Sequence, residues 1–284
     1  MVKQKEKGKS LAQFEQAFGG GRVRELQKQI RAMAEERHTI AVSKPKGSNS
    51  IRFAVIGDTH YGSLYEAKDE MQAFYELLAD QEINTVLHVG DILDGHKIYK
   101  GQEFELHKLG WDKQAAWFAD VAPRVRGIQT YFITGNHDES FKKLTGINVG
   151  QEIEHIRDDW HFLGEDSGRI QLETKDGNSV DVMLLHPDGG TAYALSYKPQ
   201  KITEQIEGGT KPQVLLIGHF HKAEWMPSYR NTCVIQAGCF QYQTPFMVRK
   251  GSAAHVGGWI VEVTPQTNGN IFRAEFVAFY NMKK

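Results

Sequence analysis

Five short segments of this 284-residue chain close an apolar run with a side chain that can bind a divalent metal. They are Gly57-Asp58-Thr59-His60, Gly90-Asp91, Gly135-Asn136-His137-Asp138, His186, and Gly218-His219-Phe220-His221. Together they offer carboxylate, amide and imidazole groups, the donors that suit two hard or borderline divalent cations. A shared carboxylate can hold such a pair at roughly 3.5 to 4 Å. A water bridging the two ions loses a proton near neutral pH and becomes a nucleophile, while the ions polarise a phosphoryl oxygen. The chemistry expected from this donor set is phosphoester hydrolysis. A thiolate cage or structural zinc is disfavoured, because no cysteine accompanies the histidines.

These side chains are far apart in sequence, so the fold must bring them together. The runs Arg52 to Gly57, Thr85 to Gly90, Thr130 to Thr134, Val180 to Leu185 and Val214 to Ile217 are short, apolar and rich in Val, Ile and Phe, and they read as strands. Further strands are expected at Thr232 to Gln236, Trp259 to Val263 and Phe272 to Phe279. Amphipathic stretches at Ala67 to Ala79, Lys113 to Val121 and Gln151 to Asp159 read as helices. Alternation of this kind predicts a layered α/β domain. In such sheets, ligands gather at the carboxyl ends of strands, where short loops aim side chains from several strands into one crevice. Each of the first five runs ends there in a candidate ligand, and in four of the five a glycine precedes it and lets the backbone approach closely.

Taken together and in this order, the motifs resemble those of the calcineurin-like metallophosphoesterases over about residues 51 to 265. The resemblance implies a four-layer αββα sandwich of two packed sheets with helices outside. It further implies that Asp58, His60 and His221 hold one metal, that Asn136, His186 and His219 hold the second, and that Asp91 bridges them. The ions expected are Mn2+ first, with Fe, Zn, Ni or Mg as alternatives. His137 would stand outside the coordination shell, stabilising the transition state or protonating the leaving oxygen. Asp138 would either orient the His137 ring or hydrogen-bond nearby backbone as a loop carboxylate, and Asp94 would either support the site or cap the segment after it. Two departures stand out. His186 lacks the preceding glycine of many members, so its assignment rests on strand position and order. The second motif, Gly90 to Gly95, lacks the Asn-Arg continuation of the protein Ser/Thr phosphatases.

Among other histidines, His38, His88, His107, His155 and His161 are expected to be core or surface residues, whereas His96 and His255 are weaker candidates for substrate contact. Phe240, Tyr242 and Phe246 are expected to pack, with stacking against nucleic acid as the alternative. Cys233 and Cys239 are too few for a disulfide framework and are expected as small buried hydrophobes.

Charge is divided unevenly along the chain. Residues 1–50 hold 11 Lys and Arg against 5 Glu, leaving 23 basic and 30 acidic groups in the remainder. Residues 1–50 are expected to form a basic extension, with an amphipathic helix over Val23 to Met33 after Gly19-Gly20-Gly21 and a linker over Ser43 to Ser50. That helix could serve oligomerisation or partner docking. The catalytic domain is placed at residues 51–284. With no apolar run of about 18 residues and no secretory signal, the chain is expected to be cytoplasmic, without a membrane partner.

The first motif, Asp58-Thr59-His60-Tyr61-Gly62, is similar to that of double-strand-break repair nucleases and of the archaeal DNA polymerase small subunit with exonuclease activity. The leading expectation is therefore a phosphodiesterase or nuclease acting on DNA. The alternatives are a phosphatase or phosphodiesterase for a small phosphorylated molecule, and a scaffold subunit of a nucleic-acid-processing complex.

Overall fold

The computed structural model describes residues 38–42, 49–266 and 269–280. Twelve strands among them form two sheets of six. The first sheet runs β12 (Gly269–Ala278), β11 (Gly257–Gln266), β2 (Ile51–Ile56), β3 (Thr85–Val89), β4 (Gln129–Thr134), β5 (Trp160–Glu165). The second runs β1 (His38–Ala41), β6 (Ser167–Glu173), β7 (Ser179–Leu185), β8 (Val214–Ile217), β10 (Thr232–Ala237), β9 (Ala223–Tyr229).

Alternation along the strands builds the layers. Ile51, Phe53 and Val55 of β2 and Val261 and Val263 of β11 share one buried apolar cluster with Val180, Val182 and Leu184 of β7 and with Val214 and Leu216 of β8. The two sheets therefore pack face to face. The alternate residues look outward: Ala54 and Ile56 pack against Met71, Phe74 and Leu78 of α1 (Lys68–Asp80). Phe118 of α2 (Trp111–Val121), Phe141 of α3 (Glu139–Thr145) and Val149 and Ile153 of α4 (Val149–Ile156) cover the β4 side of the same sheet, around Phe132 and Trp160. Over the second sheet, Leu215 and Ile217 meet Ile202 of α5 (Tyr197–Gln205). The order of layers is helix, sheet, sheet, helix, the αββα sandwich expected from the sequence. A short helix, α6 (Pro245–Lys250), follows β10.

The paired chain starts earlier than the boundary expected at Ile51. His38 to Ala41 run parallel to Ile170 to Glu173 as an edge strand, because the Thr39-Ile40 stretch supplies β-branched residues to a ladder that β6 leaves open. The helix expected over Val23 to Met33 lies outside the described residues. Both cysteines are buried and free. Among the described residues no helix is long and apolar enough to cross a membrane.

Candidate metal centre and active-site cleft

β2, β3 and β4 are parallel neighbours, so their carboxyl ends place Asp58 and His60, Asp91, and Asn136 and His137 side by side. β7 and β8 are parallel neighbours in the facing sheet and bring His186, His219 and His221 to the same edge. Five of these residues hold the left-handed backbone that non-glycine residues rarely adopt: Asp58 (φ 50°), His60 (48°), Asp91 (54°), His219 (76°) and His221 (54°). Strain of this sort collects where a site demands it. Two of the preceding glycines are explained by crowding. A Cβ on Gly90 would lie 2.6 Å from His186 Nδ1, and one on Gly135 would lie 2.4 Å from an Asp91 carboxylate oxygen.

Hydrogen bonds on the outer side of each ring fix which nitrogen faces inward. His60 Nδ1 lies 3.0 Å from Asp94 Oδ1, His186 Nδ1 lies 2.7 Å from the Val89 carbonyl, and His219 Nε2 lies 2.6 Å from the Gly189 carbonyl. Each of those partners is an acceptor, so each outer nitrogen carries the proton and, in the neutral ring, the inner nitrogen carries a lone pair. His60 Nε2 then faces His221 Nε2 at 3.1 Å, and Asn136 Oδ1 lies 3.2 Å from His186 Nε2 and 2.9 Å from His219 Nδ1. Asn136 Oδ1 and the inner nitrogens of the neutral His186 and His219 rings are acceptors turned on one another, and they repel unless positive charge stands among them. Asp58 Oδ1 lies 3.4 Å from His221 Nε2 and Asp91 Oδ2 lies 3.2 Å from His186 Nε2. The donors fall into two sets, Asp58 with His60 and His221, and Asp91 with His186 and His219, with Asn136 on the second. Asp91 Oδ2 is also 3.8 Å from His60 Nε2, between the sets. The donor set fits two divalent cations.

The ionisation of the pocket agrees. Burial opposes charge on Asp91, but His186 and His137 outweigh it and hold the carboxyl well below its usual range. Burial also opposes charge on His186, yet Asp91 and Asp58 carry that ring up to about 10. His221 is raised well above its ordinary value, against burial, by Asp58. The buried carboxylates demand compensating positive charge, which protons on two imidazoles supply where cations do not.

Around this centre a second set of groups holds the donors in place. The buried Asp94 carboxylate receives His60 Nδ1–H and the side-chain amides of Gln102 at 3.1 Å and Gln241 at 3.2 Å. Asp94 therefore orients His60 and does not act as a helix cap. Its carbonyl oxygen takes His137 Nδ1–H at 2.6 Å, leaving His137 Nε2 for the cleft. Although His60, Asp94 and His137 also lie close enough to resemble a third metal group, these hydrogen bonds occupy the atoms that would bind. Asp138 has no such role towards His137. Its two oxygens accept the backbone N–H groups of Ile92 (3.1 Å), Leu93 (2.8 Å) and Gly135 (3.0 Å), clamping the β3 and β4 loops together. Of the two roles expected for it, the geometry gives the loop carboxylate, because the backbone donors lie on its side of the loop and the ring turns to Asp94.

His88 is buried in the first sheet, where its Nδ1 accepts the Gly90 N–H at 3.2 Å and its Nε2 donates to Thr59 Oγ1 at 3.1 Å. Burial drives the ring down to about 3. Since an unfolded histidine titrates near 6.5, the unfolded chain binds the extra proton first. The resulting stability is fully present above about pH 6.5 and is lost as pH falls towards about 3. His88→Gln keeps a donor for Thr59 and removes the titration. We expect its urea midpoint to decline less steeply than that of the parent between pH 6 and 4, by up to about one proton; parallel declines would place the acid sensitivity elsewhere.

Neither of the two weaker histidine candidates lines the cleft. His255 Nδ1 accepts the Ala223 N–H at 3.1 Å, and His96 Nδ1 is buried without a hydrogen-bond partner. Phe240 is core, against Phe74, and Tyr242 is tied to Glu70. The cleft holds about 520 Å³. Its lining includes donors of the cluster with His137 and, besides them, Ile98, Tyr99, Phe246, Met247 and Lys250. Tyr99, Gln102 and Gln241 had no signal in sequence, since neither their type nor their spacing sets them apart.

The profile of the calcineurin-like phosphoesterases matches residues 51–223, and the chain belongs to that family. It is 26% identical over 242 residues to the DNA polymerase II small subunit of Halobacterium salinarum, covering 72% of this chain and 46% of that protein. With the DNA polymerase II small subunit of Methanocaldococcus jannaschii it shares 24% over 262 residues, 76% of this chain and 43% of that protein. The chain thus spans under half the length of these curated relatives. Among solved structures, GAP50 of Plasmodium, the anchor in the inner membrane complex, aligns with a TM-score of 0.47 at 11% identity, over 81% of this chain and 84% of that one.

Proposed function

We propose that this chain is a dinuclear metal-dependent phosphodiesterase acting on nucleic acid. The observation that supports this best is the gathering of two buried aspartates, one asparagine and four histidines into two adjoining sets of metal donors, most of which line the cleft. Asp58, His60 and His221 would hold one cation, and Asn136, His186 and His219 the other, with Asp91 shared. Two divalent ions bound there, with manganese the first choice, would polarise the phosphoryl oxygens and favour the deprotonated form of the attacking water.

The chain's own residues complete the chemistry. Asp94 holds His60 by its carboxylate and His137 by its carbonyl, so one residue sets the angle of a ligand and of the candidate acid. His137 presents Nε2 to the cleft. In its doubly protonated form it donates a hydrogen bond to phosphoryl oxygen or a proton to the departing alkoxide. The domain would begin with the edge strand His38–Ala41, and the basic extension before it would dock a partner or a nucleic-acid backbone.

Similarity to polymerase small subunits favours nucleic acid over a small metabolite, and it also motivates a second reading in which the domain is a scaffold within a larger assembly. Hydrolysis separates them. We expect manganese-loaded protein to cleave bis-p-nitrophenyl phosphate and end-labelled DNA and to leave p-nitrophenyl phosphate nearly untouched. Cleavage of the monoester alone would redirect the assignment to small phosphorylated molecules. Two bound ions per chain with no turnover on any substrate would favour the scaffold.

A further inference from the structure

The part of the cleft lining outside the donor cluster has chemistry a phosphate does not require. Tyr99 and Phe246 stack there with ring centroids 4.2 Å apart and planes 18° apart. Both are half-buried, both line the cleft, and neither belongs to the four apolar clusters of the described core. The pair is held from outside. The Tyr99 hydroxyl donates to Glu105 at 2.8 Å, and Thr244, the N-cap of α6, accepts the Met247 N–H at 3.2 Å and anchors the turn that carries Phe246. Lys250 Nζ, on the same helix, lies 5.7 Å from the Phe246 ring centre. Ile98 and Met247 complete the wall, and His137 and Asp94 border the same cleft.

We infer that the Tyr99–Phe246 wall, with Lys250 at its rim, is a platform on which the nucleobase adjacent to the scissile phosphate stacks. This rests on the phosphodiesterase assignment above and names the part of the substrate that the metal donors leave unread. A rigid aromatic face accepts any base, since every base has a π-face, and a cation beside it can meet the flanking phosphate. A cleft of about 520 Å³ is large enough for a nucleotide unit. Packing against the core does not account for two half-buried rings that line the cleft and lie outside the apolar clusters.

Two measurements test the platform and keep it separate from the catalytic assignment. The first compares methyl p-nitrophenyl phosphate with the p-nitrophenyl ester of thymidine 5′-monophosphate, which differ by the nucleoside. Phe246→Ala should raise KM for the nucleoside ester about 10-fold, equivalent to one stacking contact, and leave the methyl ester unchanged. Phe246→Tyr should restore the parent value. An equal effect on both esters, or on neither, would overturn the platform. The second reads stacking without turnover: fluorescence of 2-aminopurine deoxynucleoside 5′-monophosphate titrated with protein in Mg2+. Quenching by the parent that is lost in Phe246→Ala supports the platform, even if no diester is hydrolysed and the catalytic assignment fails. Absence of quenching, or equal quenching by the variant, refutes it.

Discussion

Asp91→Asn is expected to abolish hydrolysis and to lower affinity for both metal ions by more than the roughly 10- to 100-fold that follows loss of an outer partner. The reason lies in what the two carboxylate oxygens do. Oδ1 accepts the His137 N–H at 2.9 Å, while Oδ2 faces His186 Nε2 at 3.2 Å and His60 Nε2 at 3.8 Å. An asparagine would keep its oxygen on the His137 N–H and turn its NH2 towards the two imidazoles. Protons would then occupy the space where positive charge from cations belongs, and one of the two carboxylates of the donor sets would have lost its charge. The same substitution should spare the fold, because the amide donates to a lone pair that the carboxylate had opposed and no cavity opens. Metal content after dialysis, read beside a thermal melt, checks both halves. Retention of two tightly held ions would remove Asp91 from between the sites, and loss of cooperative melting would show a structural role in place of a ligand role.

How much of this was legible before the structure depends on the type of interaction. The ligand candidates were legible because the chemistry repeats a local pattern: an apolar run, usually a glycine, then a metal-binding side chain. His186 shows where that pattern thins. Without a glycine before it, only its place after the fourth run pointed to the site, and the structure sets its ring against Asp91 because β7 and β8 are parallel neighbours. The layers were legible from alternation in strands such as Ile51 to Ile56, whose two faces pack into different clusters. Strands without a continuous apolar run were missed, β5 and β6 among them, as was β1, an edge strand whose partner is more than a hundred residues away. Side-chain partnerships were least legible. Asp138 sits beside His137 in sequence and is turned to the backbone of Ile92 and Leu93, whereas Asp94, 43 residues before His137, holds its ring through a carbonyl oxygen that every residue possesses. No residue type marks a backbone acceptor, so no reading of side chains could have chosen between them.

That partnership shapes the second large effect. His137→Asn is expected to keep both metals and lose about 10²- to 10⁴-fold in turnover on DNA, the span usual for a positioned general acid. His137 belongs to neither of the two donor sets: its Nδ1 is committed to the Asp94 carbonyl and its Nε2 is left for the cleft. Its removal leaves His60 held by the Asp94 carboxylate at 3.0 Å, although His60 loses the edge-on ring contact at 4.5 Å. The loss should depend on the leaving group. A deoxyribose alkoxide is strongly basic and needs a proton as it departs, whereas p-nitrophenolate is a weak base and leaves without one. The variant should therefore be much less impaired on bis-p-nitrophenyl phosphate than on DNA. Equal impairment on both would assign His137 to stabilising charge on the phosphoryl oxygens, which every substrate shares. Unchanged turnover on DNA would remove it from the mechanism, and metal loss in the variant would move it into the coordination shell.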